Sequence, residues 1–298
     1  MRSEQLQQNP GRADAHLGTV AARAGAAKIV EATGDLPAMP HVAAQVMEKL
    51  SNPNATPRDI HQLIEKDQGL AARVLKVANS PYYGASRSIS TLRDAILFMG
   101  FDSIKSVVLT AVMKGIFAET GLAEKLLWEH SIGCGVAARR IGTAVGHPGK
   151  EEVFLAGLMH DVGKAVLFVR LPDKMSDIMQ EVYNTGATFS DAETSALGFT
   201  HSEVGQLMAD KWRFSLNIEE AIAHHHQPSD SHIAAQFCHI VSLANSVCHK
   251  LEIGPTRKPD LDLASLDSVK ALGLNPDSML EILDEVENAV KGGEDTGK

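Results

Sequence analysis

Apolar residues recur at helical spacing through nearly every segment of this chain, and each run carries its own start and stop signals. PHVAAQVMEKLSN places Val42, Val46, Met47 and Leu50 on one face and halts at Asn52-Pro53. TPRDIHQLIEKD opens with Thr56 as N-cap, Pro57 at the first helical position and Asp59 closing a capping box. In GLAARVLKVANSPYYG the apolar face is Leu70, Val74, Leu75 and Val77, ending at Asn79-Ser80-Pro81, and STLRDAILFMGF pairs Thr91 with Asp94 before stopping at Gly100. DSIKSVVLTAVMKGIF follows as a helix apolar on most of its circumference. No alternating apolar and polar run is long enough for a sheet, so the pattern predicts an all-α, irregular multi-helix bundle.

With 298 residues and a hydrophobic share of 44%, the chain can fill a real core. It has no apolar run of membrane-spanning length and no apolar signal segment in MRSEQLQQNPGRADAH, so no membrane association is expected and the expected location is the cytoplasm. Three cysteines without a C-x-x-C pair argue against a disulfide framework, and Cys134 reads as a small buried residue. A net charge of −9 argues against nucleic acid as a partner. The helix, turn, helix rhythm of residues 56–79 does not change this, because its second helix offers only Arg73 and Lys76 as cations.

The chain divides, on this reading, into a disordered tail over 1–14, an N-terminal helical part over 15–120, a histidine-rich helical part over 121–254, a linker with an amphipathic helix over 255–290, and a tail over 291–298. The last helix, with Met279, Leu280, Ile282, Leu283, Val286 and Val290 on its apolar side, has two roles open to it: capping the domain or pairing in a homodimer. Trp128 and Trp212, set among Leu and Met, read as core anchors.

Chemistry concentrates in the second half, where residues 127–250 hold ten of the thirteen histidines. FLAGLMHDVGKAVLF sinks His160, Asp161 and Lys164 into an apolar helix, and a buried carboxylate needs a partner. That partner is a metal ion, an ion pair with Lys164, or the N-cap of the next turn. His130, His201 and the run His224-His225-His226 also sit in or at the ends of helical patterns, so several helices could aim imidazoles at one point. Mixed imidazole and carboxylate donors suit Fe, Mn, Zn or Ni better than Ca or Mg.

The order His130, H-D-x-G-K at 160–164, His201 and H-H-x-P at 225–228 resembles the HD superfamily of metal-dependent phosphohydrolases. The signposts LPAMPHVAAQVMEKL, IEKDQGLAARVLKVANSPYYG, ISTLRDAILFMGF, THSEVGQLMADKW and AIAHHHQP narrow the resemblance to its HDOD branch, the HD-related output domain of bacterial signalling proteins, over about Leu36 to Leu251. The resemblance implies a smaller N-terminal helical part packed on an HD-type part, in a family regarded as regulatory and commonly short of metal ligands. Here six ligand types are kept, His130, His160, Asp161, His201, His225 and His226, enough for a binuclear site. The late-helix Asp of HD enzymes aligns with Asn245, a neutral and weaker ligand, and the G-Y-P type loop of cyclic-dinucleotide phosphodiesterases is absent.

Two functions follow from the resemblance. One is a signal-transduction module whose metal site ties helices together, with weak or no catalysis, acting on a protein partner or a small nucleotide ligand. The other is a metal-dependent phosphohydrolase acting on a nucleotide or cyclic dinucleotide, with Asp161 bridging two ions and Lys164 steadying phosphate charge.

Overall fold

The computed structural model describes residues 22–32, 41–50, 52, 54–80, 88–117 and 121–294. The described residues form helices joined by short turns and contain no strand. In chain order they are α1 (22–32), α2 (His41–Leu50), α3 (Pro57–Ile64), α4 (Gln68–Ala78), α5 (Leu92–Met99), α6 (Phe101–Phe117), α7 (Leu122–Ala144) and α8 (Lys150–Met159). There follow α9 (Val162–Arg170), α10 (Pro172–Thr185), α11 (Phe189–Leu197), α12 (His201–Lys211), α13 (Leu216–His224), α14 (Ala235–Lys250), α15 (Asp267–Ala271) and α16 (Pro276–Glu294).

The predicted caps organise the first half. At α3 both arms of the capping box form: Asp59 N–H donates to Thr56 Oγ, and Thr56 N–H to Asp59 Oδ2 at 2.9 Å. At α5 only one arm forms, because the Asp94 carboxylate accepts from the Thr91 hydroxyl at 2.8 Å rather than from its N–H. Asn79 closes α4 by stapling the returning chain, its amide donating to Leu75 O and Ile89 O while Ile89 N–H donates to Asn79 Oδ1 at 2.7 Å. Pro81 to Gly84 of the N-S-P-Y-Y-G signpost lie outside the described residues.

Two large apolar clusters fill the described residues, with a small third one of Ala78, Ile89 and Ala95. Ile60, Ile64, Leu70, Val74, Ile96, Ile104 and Val108 belong to the first, and the second takes most of the chain after α6. Helix α6 serves both, giving Ile104, Val107 and Val108 to one and Leu109 and Met113 to the other. That double duty explains why its sequence is apolar on most of its circumference, since a helix buried on all sides has no polar face to keep. Ala26 and Val30 of α1 are buried in the second cluster, so this early helix packs with the histidine-rich part.

Trp128 and Trp212 pack against the second cluster. The segment after Gly254 is more than a linker: Leu263 and Val269 are buried, and Ser268 bonds His239 of α14 at 3.0 Å. Helix α16 runs on through Glu294 and caps α7, burying Met279, Ile282 and Val286, with Arg140 paired to Glu285 at 3.3 Å. No helix among the described residues is long and apolar enough to cross a membrane.

Candidate metal centre

Five helices deliver the histidine and aspartate side chains to one point, buried for all of them but His226, which is exposed at its edge. His130 lies midway along α7, His160 is the C-cap of α8, and Asp161 is the residue before α9. His201 is the first residue of α12, and His225 and His226 follow the last turn of α13. His201 is held in place by a complete capping box, Thr200 with Glu203, which sets where α12 begins. Thr200→Ala should lower stability by about 1 kcal/mol, read as a shift in the urea midpoint, with the first turn of α12 loosened around His201.

Four of the imidazoles have the same hydrogen-bonding logic. The Nδ1–H groups of His160, His225 and His130 donate to Gly157 O (2.7 Å), Ile222 O (2.9 Å) and Ile253 O (3.0 Å), and that of His201 donates to Glu193 Oε2 (2.6 Å). Because a carbonyl or carboxylate can only accept, each Nδ1 carries a proton, and in the neutral ring the Nε2 then presents a bare lone pair. Those lone pairs converge on Asp161: His160 Nε2 is 3.3 Å and His130 Nε2 3.7 Å from Oδ2, while His201 Nε2 is 3.3 Å and His225 Nε2 3.6 Å from Oδ1. His226 Nε2 completes the group 3.0 Å from His201 Nε2, which itself lies 3.5 Å from His225 Nε2.

Acceptors facing acceptors in a dry interior repel unless a cation lies among them. His160 Nε2, Asp161 Oδ1 and Asn245 Oδ1 are buried without a hydrogen-bond partner. Two nitrogens on one tetrahedral zinc-sized ion stand about 3.3 Å apart, close to the separations within the His201, His225 and His226 trio. The ligand atoms of that trio, of His160, Asp161 and His225, and of His130, Cys134 and His160 each lie within 4.8 Å of one another. The donor set therefore fits a metal ion, and Glu193 is the carboxylate behind His201 that orients such a ligand.

The electrostatics agree with that arrangement. Burial pushes His130 down to about 4 and His226 down to about 2, and it also lowers His225 well below the usual imidazole value. These rings are neutral and ready to coordinate. Burial opposes ionisation of Asp161, but His160 and Lys164 outweigh it and hold the carboxyl well below its ordinary range. For His201, burial is outweighed by the Glu193 carboxylate, and the net shift is upward.

All six expected ligand residues meet here. Asn245 is buried on α14, one turn before His249, whose ring stacks on His130 with centroids 5.3 Å apart. Lys164 turns to Asp161, donating to Oδ2 at 2.8 Å, with its ammonium 4.5 Å from the Phe189 ring centroid. The ion pair weighed as the plain account of Asp161 is thus present together with the histidines, whereas Asp161 makes no side-chain cap bond to α9. Sequence reading passed over Glu193, His249 and the position of Cys134. Glu193 lay in FSDAETSAL, where a polar pattern resembles a solvated face, and only its complete burial distinguishes it.

An all-helical bundle that gathers His, His-Asp, His and His-His from successive helices onto one point is an HD-type domain. More narrowly, the chain belongs to the HDOD family, whose model, described as HDOD domain, matches residues 36–228. An HDOD domain protein of unknown function from Geobacter sulfurreducens is 27% identical, with a TM-score of 0.75 over 91% of this chain and 99% of that one. A structure from Shewanella amazonensis SB2B, provisionally named a phosphohydrolase, shares the fold at 19% identity and a TM-score of 0.70, covering 89% of this chain and 97% of its own. An uncharacterized protein of Treponema pallidum (strain Nichols) is 24% identical over 205 residues, 67% of this chain; the match spans only 39% of that relative's length.

Proposed function

We propose that this protein is a bacterial signal-transduction module of the HDOD family in which a divalent transition metal pins helices together, with weak or no catalysis, and in which a protein partner or small nucleotide ligand is engaged elsewhere on the fold. The observation that carries the reading is the convergence of the Nε2 atoms of His130, His160, His201 and His225 on Asp161. Those residues, with His226, would hold one ion or a binuclear Fe, Mn, Zn or Ni pair, and Asn245 would be a neutral, weaker donor.

Three features support holding over turnover. His160 and His201 are fully buried and Asp161 is 3% exposed, so the carboxylate itself is screened from a nucleotide while the cluster meets the surface at the exposed His226. Lys164, the cation a phosphate would need, is spent on Asp161. Asn245 leaves the site one negative charge short of the HD enzymes it resembles. A metal ion bound there would supply Lewis-acid polarisation of a phosphoryl oxygen. The chain's own Nδ1 bonds orient the imidazoles that would hold it.

The test is elemental analysis of protein purified without chelator, followed by assays with cyclic dinucleotides and nucleoside phosphates in the presence of Mn or Fe. Stoichiometric metal with no turnover is the expected result. Metal at background level would remove the pin, and turnover abolished in Asp161→Ala would establish the phosphohydrolase reading instead. Asn245→Asp is expected to tighten metal binding, and a gain of turnover in it would identify this position as what silences the site.

A further inference from the structure

We infer that Cys134 is a thiolate ligand which, with His130 and His160, forms a sulfur-containing metal position beside the all-imidazole position of His201, His225 and His226. The inference rests on the metal-holding reading above and adds a donor to it. Cys134 sits one turn after His130 on α7, is fully buried, and places Sγ 3.5 Å from His130 Nε2. Sulfur and nitrogen bound to one tetrahedral zinc-sized ion stand about 3.6 Å apart, so this pair already has ligand spacing.

Of the neighbouring ligand atoms His160 Nε2 is unengaged, and the Cys134 thiol has only the neutral thiol of Cys248 beside it as a second contact. One ligand atom each of His130, Cys134 and His160 lies within 4.8 Å of the others. His160 has its Nδ1 tied to Gly157 O and its Nε2 buried without a partner. His130 is turned toward the sulfur by its Nδ1 bond to Ile253 O, and the chain leaves that carbonyl through Gly254 at φ +101°, where a Cβ would meet His130 Cβ at 2.5 Å. The close approach and the backbone angle both require glycine there.

Charge points the same way. Two divalent ions and Lys164 would bring five positive charges into a buried site that offers two carboxylates, Asp161 and Glu193, and Asn245 adds none. A further anion lowers that excess, and the buried thiol beside His130 can provide it, because a coordinating thiol gives up its proton to solvent. Thiolate favours zinc or iron(II) over Mg or Ca at this position.

The experiment is optical absorption of the full chain loaded with cobalt(II), with cobalt content measured alongside. Wild type, Cys238→Ser and Cys248→Ser should show a thiolate-to-cobalt charge-transfer band in the near ultraviolet, and Cys134→Ser should lose it. Cobalt–sulfur scattering by X-ray absorption on the wild type decides the matter should Cys134→Ser fail to fold. Bound cobalt without a sulfur signal, or a band that persists in Cys134→Ser, would overturn the inference while leaving the metal site in place. Wild type that takes up no cobalt would overturn both.

Discussion

Asp161→Asn should destabilise the metal-free protein by about 3–5 kcal/mol and reduce co-purified metal to background. The substitution keeps the volume of the side chain and removes its charge. Lys164, 7% exposed and bonded to Asp161 at 2.8 Å, is then a buried cation with no counter-charge near it. The new amide could donate to one bare Nε2, which offsets about 1 kcal/mol, too little to balance an unpaired ammonium. Urea denaturation reads the loss. Asp161→Asn combined with Lys164→Met should recover much of it, because no charge is then left stranded; a double variant as unstable as the single one would show that the ion pair is not the source.

The effect should also depend on pH in a defined direction. The folded-state pKa of Asp161 lies well below its ordinary value of 3.8, so its stabilising share is complete above that value and is lost as pH falls toward the folded one. The gap between wild type and Asp161→Asn therefore narrows in acid.

Gly163→Ala is expected to cost more than about 3 kcal/mol and to disperse the metal centre without touching a ligand. Gly163 is the glycine of H-D-x-G-K, the second residue of α9, where that helix crosses the start of α12. A Cβ there would overlap the carbonyl oxygen of His201 and lie 2.8 Å from Gly205 N, all of it backbone that cannot rotate away. Gly205, facing it from α12, would put its own Cβ 2.7 Å from Ile222 Cγ2. The two glycines let the helices touch, and that contact holds Asp161 3.3 Å from His201 Nε2. Pushing α12 outward by even one carbon radius breaks this geometry. Gly149→Ala is the control: its φ is −90° and its nearest neighbour is a His147 carbon at 3.4 Å, so metal content should be unchanged and stability should fall by no more than about 1 kcal/mol, the cost of Ala at the N-cap of α8. A Gly163→Ala protein with wild-type melting and metal content would show that α9 and α12 can separate freely.

How much was legible before the fold is best seen residue by residue. Caps and helical spacing are local properties, so Thr56, Thr91 and the helix pattern could be read directly from neighbouring residues. His160 and Asp161 stood out because a polar pair in an apolar run conflicts with its surroundings, and conflicts of that kind mark sites. The remaining histidines drew their meaning from order, through the resemblance to HDOD proteins.

The sequence by itself determined an all-α chain, the apolar runs that had to be buried, and the residues able to bind a metal. Only the tertiary structure decided which donor atoms face one another, because that depends on distances between helices up to a hundred residues apart. It alone made Glu193 a buried anchor for His201 and brought His130, His201 and His225 onto Asp161. The physical reason is that spacing along one helix specifies a face, whereas the angle and depth at which faces meet depend on how closely the backbones can approach, here at Gly163 and Gly205.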